Sequence, residues 1–193
     1  SACQPAVDPV SGRQPSVTII EPPLRICLLS HSYPPSQYDG VGRLTNLMAQ
    51  GLFQLGHTVH VVSGGDREQV SFYDGAFVHR IPYALDRYPS YQRFTNLHHA
   101  LNHSHAVYAQ VRRLMLNDGI QIVDSPLWLF EGLVTLVSGL APVVTRLVTA
   151  GRQVATLHGD RGEDARLIGE MEKLLIQRAH HVLPNTLATQ EAA

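Results

Sequence analysis

Two short apolar runs with a helical pattern between them fix what this chain can become. LRICLLS (Leu24 to Ser30) and HTVHVVS (His57 to Ser63) are rich in branched side chains and too short for stable helices, which suits strands buried on both faces of a parallel sheet. Between them Val41, Leu44, Leu47, Met48, Leu52 and Leu55 recur at helical spacing, and Gly56 stands where a helix stops. Parallel neighbours need a crossover of this kind, so the unit predicts a right-handed strand, helix, strand turn.

The alternation continues along the chain. AFVHRIP (Ala76 to Pro82) reads as a third strand, followed by a long helix from about Tyr91 to Asn117 that Gly119 closes. IQIVDS (Ile120 to Ser125) is a fourth strand, residues around Phe130 to Ser138 a short helix, and PVVTRLVT (Pro142 to Thr149) a fifth strand. A loop from Ala150 to Arg161 leads into a helix with Leu167, Ile168, Met171, Leu174 and Leu175 on its apolar face, then HHVLP (His180 to Pro184) as a sixth strand. This order predicts an α/β fold, a doubly wound, mostly parallel sheet with helices on both faces.

Residues Ser1 to Pro23 carry five of the twelve prolines and no periodicity, which reads as an extended or disordered leader before a domain spanning 24–193. The last helix starts at Thr186 and has only about two turns before Ala193, too few to be stable unless it docks or continues, so the chain is expected to lack a second domain.

With 15 Lys+Arg against 16 Asp+Glu, and no long run of one sign, the footprint of a nucleic-acid binder is missing. An anionic ligand has to be met locally. Cys3 lies in the leader and Cys27 inside a strand, which argues against a disulfide framework and for a reducing, cytoplasmic setting. No stretch reaches the roughly 18 apolar residues of a membrane span, while peripheral membrane contact stays open.

The stretch YPPSQYDGVGR (Tyr33 to Arg43) sits where an open parallel sheet binds ligands, between a strand and the N-terminus of the next helix. Gly40 and Gly42 present backbone without a Cβ at the positive end of a helix dipole, a setting for a phosphate oxygen. Arg43, a cation in the first turn, opposes that dipole and calls for an anionic partner. The dinucleotide fingerprint fits poorly because Thr45 occupies the place of its third glycine, and no Gly-Lys-Ser/Thr of a phosphate loop occurs. Among the eleven histidines, His99 and His103 have a helical spacing that can hold a metal, with His98 and His105 near them. A solvated helix face is the plainer reading, and no metal is expected. His57 reads as a turn contact, and His31 as a loop residue near a ligand.

Taken together, Tyr33, Pro34, Pro35, Asp39, Gly40, Gly42, Arg43, Gly56, His57 and Val59 have an order and spacing that resembles the opening of the family 4 retaining glycosyltransferases of the GT-B class. PVVTRLVTA and EMEKLLIQRAHHVLPNT resemble later segments of the same N-terminal domain, so the likeness covers most of residues 24–190. It implies transfer of a hexose from a nucleoside diphosphate sugar to a hydroxyl acceptor with retention, with no cofactor beyond the donor and with most donor contacts supplied by a C-terminal domain. The resemblance places Gly40, Gly42 and Arg43 at the donor phosphates and Asp124, Trp128, Glu131, Arg146 and Thr149 at the acceptor. No catalytic residue is assigned, because Val148 stands where a histidine is expected. Three of the acceptor candidates also have a structural role to play: Trp128 as cover for the core edge, Asp124 as a helix cap, Arg146 as partner of a buried acid. Two other functions stay open, a non-catalytic binding module of the same fold and a nucleotide-binding oxidoreductase.

Overall fold

A computed structural model of the protein describes residues 22–36, 39–82, 94–148 and 162–184. They form a seven-stranded sheet, all parallel except one edge strand. In chain order the elements are β1 (Arg25–Leu29), α1 (Gly40–Gln54), β2 (Thr58–Gly65), β3 (Gln69–Tyr73), β4 (Ala76–Pro82), α2 (Thr95–Asp118), β5 (Ile122–Pro126), α3 (Leu133–Val137), β6 (Val143–Leu147), α4 (Glu163–Arg178) and β7 (His181–Pro184). A short 3-10 turn, Trp128–Phe130, precedes α3. The strands lie in the order β3-β4-β2-β1-β5-β6-β7. The doubly wound α/β arrangement expected from the sequence is the one observed.

Alternation along each strand sorts the core into two layers. Ile26 and Leu28 face the same side as Val59, Val61, Ala76 and Val78, and α1 covers them through Ala49, Met48 and Leu52. Cys27 and Leu29 face the other side with Val62 and Ile81, under Val107, Val111 and Leu114 of α2 and under Leu133, Leu136 and Leu175 of α3 and α4. Buried side chains of this size contribute about 1.5–3 kcal/mol each, so both layers are needed to offset chain entropy. Cys27 is a free, fully buried thiol in this core.

The helix ends follow the sequence signals. Asp39 caps α1, its Oδ1 accepting from the Gly42 N–H at 2.7 Å. Gly56 and Gly119 take the left-handed backbone that ends α1 and α2. The long helix was expected from Tyr91; its described part starts at Thr95, and there the Asp164 carboxylate of α4 reaches across to accept from Asn96 and Leu97 N–H, both at 3.0 Å. His57 makes the turn contact expected of it, with Nδ1 accepting from Leu24 N–H.

One strand went unread in the sequence. QVSFY pairs antiparallel with β4 at the sheet edge, joined by Asp74 and Gly75 at φ 45° and 87°. An edge strand with one face in water carries no apolar run; the signal that reveals it is the Asp-Gly dipeptide, which prefers the primed hairpin turn. The expected leader, the loop from Ala150 to Arg161 and the helix from Thr186 lie outside the described residues, apart from Pro22 and Pro23.

Two histidines stand side by side in this half of the sheet. His60 of β2 and His79 of β4 are buried, with rings stacked at 5.3 Å and Nδ1 of His60 3.1 Å from Nε2 of His79. Burial lowers the affinity of both for protons, and His60 pushes His79 further, to about 4. Burial likewise lowers His31 and His99. A base whose pKa is depressed on folding binds more protons in the unfolded chain, so the stability it contributes is full above pH 6.5 and is lost as pH falls toward 4. Urea midpoints measured from pH 7.5 downward are therefore expected to drop through this window, and the double substitution His60→Leu, His79→Leu to make the drop shallower.

Candidate functional site

The chain leaves β1 to build β2 and β4 on one side, then returns to build β5, β6 and β7 on the other. In open parallel sheets ligands bind in the crevice at such a reversal, which here lies outside the carboxyl ends of β1 and β5. Two described connections stand there, the loop after β1 and the turn after β5, beside the last residues of β6.

The loop after β1 is held from below. Buried Arg80 of β4 donates through Nη2 to the carbonyls of Tyr33 and Pro34, each at 2.7 Å, and through Nη1 to Ser63 Oγ and Gly64 O. Tyr33 is fully buried, with its hydroxyl on Asn46 Oδ1. The Pro34–Pro35 peptide is cis. Tyr33 thus anchors the connection, and the Arg80 guanidinium takes the carbonyls of Tyr33 and Pro34.

At the helix side, a Cβ on Gly42 would lie 2.6 Å from the Ser32 carbonyl oxygen, so glycine is required for α1 to approach the loop. Gly40 has open space around its Cα, and Arg43 is exposed. The Gly42 amide is committed to Asp39.

The turn after β5 carries two consecutive non-glycine residues in left-handed backbone, Leu129 (φ 57°) and Phe130 (φ 38°). Such residues cost of order 1–2 kcal/mol each and persist only when their surroundings dictate them. Here Phe130 is buried in the core, Ser125 Oγ accepts from the Gly132 N–H at 2.9 Å, and Ser104 Oγ donates to the Glu131 carbonyl. The result is a Glu131 carboxyl with no exposed surface: Oε1 accepts from the His31 N–H at 2.8 Å, and Oε2 lies 3.3 Å from Nε2 of His103. His31 packs edge-on against His103 at 4.8 Å and His99 at 6.0 Å. Burial, with His103 close by, holds His31 below its ordinary pKa and so neutral near pH 7.

Next to this cluster Arg146 of β6 and Asp124 of β5 form a buried ion pair, with Arg146 Nη2 also donating to Leu29 O at 3.2 Å. Asp124 thus joins Arg146 across the strand ends; burial raises its pKa and the guanidinium opposes that rise. Val148 is buried, Trp128 half-buried, and Thr149 lies outside the described residues. Of the sequence candidates, the structure gathers Asp124, Arg146 and Glu131 at the crevice floor, sets Trp128 on the adjoining turn, and puts Gly40 and Arg43 on the far side of the β1 loop. The sequence reading set His103 aside as solvated and gave His31 only a loose role; nothing in their spacing announces a meeting with Glu131, 28 and 100 residues away. Among the described residues, no group of three or more His, Cys, Asp or Glu side chains is arranged to hold a metal ion, and no helix is long and apolar enough to cross a membrane.

No protein-family model and no curated protein matches the chain. Solved structures do: sucrose-phosphate synthase from Thermosynechococcus elongatus superposes with a TM-score of 0.59 at 15% identity, over 82% of this chain and 41% of that one. The fold is glycosyltransferase-like. The sheet is similar to a GT-B glycosyltransferase domain, and the chain spans about two fifths of that neighbour's length.

Two expectations follow from the packing. Arg146→Met strands the Asp124 carboxylate without its partner and should cost about 3–5 kcal/mol in chemical denaturation, whereas Asp124→Leu with Arg146→Met should cost less than the sum of the single changes. Gly42→Ala should destabilise by about 1–3 kcal/mol through overpacking on Ser32, with Gly40→Ala near neutral; equal midpoints for the two variants would contradict the close approach.

Proposed function

We propose that this domain is the acceptor-side half of a glycosyltransferase that moves a hexose from a nucleoside diphosphate sugar to a hydroxyl with retention of anomeric configuration. The observation that carries the reading is the buried polar cluster of Glu131, His103, Asp124 and Arg146 at the reversal point of a glycosyltransferase-like sheet, beside the loop that leads into the N-terminus of α1.

The physical demand of the reaction is charge. Breaking the bond between the anomeric carbon and phosphate leaves a diphosphate, which preorganised donors must stabilise. Gly40 and Arg43 meet its oxygens, which compete with the Asp39 carboxylate for the Gly42 N–H. The acceptor lies along Trp128 and His31, above the floor made by Glu131, Asp124 and Arg146. Buried, paired charges such as Asp124 and Arg146 are held in place when charge develops above them, which is what this kind of catalysis needs. In this reading the remaining donor contacts come from a second domain.

The test is a transfer assay with the protein expressed from its complete coding sequence, using radiolabelled uridine, guanosine and adenosine diphosphate hexoses and a panel of hydroxyl acceptors. Transfer with retention is expected, with Arg43→Ala lowering kcat/KM about tenfold or more, a loss of roughly 1.4 kcal/mol in transition-state binding. Binding of NAD(H) with none of any sugar nucleotide would replace this reading with the oxidoreductase one.

A further inference from the structure

A second concavity lies at the opposite end of the sheet, beside the amino ends of β1 and β2 and the C-terminus of α2. It is an open hollow of about 440 Å³, lined by Arg25, Thr58, His60, Phe77, His79 and Asp118 among others. A neighbouring hollow of about 190 Å³ shares His79 and Asp118 with it. Nothing in the transfer chemistry uses this end of the molecule.

The polar groups here are not what folding alone asks for. Two buried histidines occupy neighbouring strand positions where apolar residues would pack without loss. Their hydrogen bonds set a direction. Gln110 Nε2 lies 3.4 Å from His79 Nδ1, and with that amide donating, His79 carries its proton on Nε2 and donates to His60 Nδ1. His60 is then left with an Nε2–H that has no protein partner among the described residues, on a side chain that lines the cavity. Among the described residues neither of the two charges on the rim, Arg25 and Asp118, has an ion pair, although both line one cavity and both act on His60.

The donors and charges are sorted by sign. Arg25, Thr58 and the His60 N–H offer hydrogens on the β1 and β2 side. Asp118 and the carbonyl end of α2, where the helix dipole is negative, offer acceptors on the other. Between them stand the Phe77 ring, tilted against His60 at 5.2 Å, and Val70, both well exposed for apolar residues. A lone anion would meet Asp118, and a lone cation Arg25.

We propose that this cavity binds a small zwitterion, a free α-amino acid with an apolar side chain, its carboxylate on Arg25 and His60, its ammonium on Asp118 and the end of α2, and its side chain on Phe77 and Val70. A volume of about 440 Å³ is ample for one such molecule. The site is independent of the crevice at the carboxyl ends of the strands.

The experiment is a nitrogen-detected NMR titration of the histidine rings, with L-phenylalanine as the probe and benzoate, phenethylamine and glycine as comparators. Saturable shifts of His60 and His79 with L-phenylalanine at millimolar concentration or below are expected. Each comparator lacks one of the three complementary groups and should bind at least tenfold more weakly. Arg25→Gln and Asp118→Asn, both on the surface, should each weaken L-phenylalanine at least tenfold without moving the thermal midpoint. Absence of a saturable shift, or equal binding of benzoate and L-phenylalanine, overturns the proposal. So does undiminished binding by both surface variants.

Discussion

A carboxyl group with no access to water ties together the parts of this domain that face the crevice. Glu131 reaches the backbone of the β1 loop with one oxygen and the His103 ring of α2 with the other, while its own carbonyl is held by Ser104. Burying such a group unpaired would cost more than most single interactions return, so each contact is a condition of the others. Two residues in left-handed backbone immediately before it are the conformational cost of aiming it. The loop, the long helix and the turn after β5 are therefore fixed relative to one another by a single side chain.

Much of the fold was legible because its signals are local. Alternating apolar runs and helical faces gave six of the strands, and Gly56 and Gly119 ended helices where left-handed backbone was needed. The missing strand, β3, lies at the edge, half in water, where burial imposes no apolar pattern on residues such as Gln69 and Ser71. Its turn, Asp74-Gly75, was the readable part.

The site was less legible, for a different reason. Glycine at position 42 reads as an invitation to phosphate, yet its first duty is steric, since Ser32 leaves no room for a Cβ. Arg146 was open to two readings, acceptor contact or partner of a buried acid, and the register of β5 against β6, which sets Pro126 beside Arg146 and Asp124 two residues back, supplies the acid. His31 and His103 belong to segments 72 residues apart, and sequence spacing carries no information about which loop a helix will cover. What brings them together is the return of the chain to the far side of β1, a property of topology rather than of any motif.

The carboxylate of Asp164 grips the first amides of α2 from the start of α4, so neither helix can slide along its axis without carrying the other. His99 and His103 follow within two turns of that grip, and their spacing from His31 is thereby set by the element that comes after β6. A tug on that return segment would be transmitted along α2 as by a connecting rod, and the rings over the crevice would feel it first.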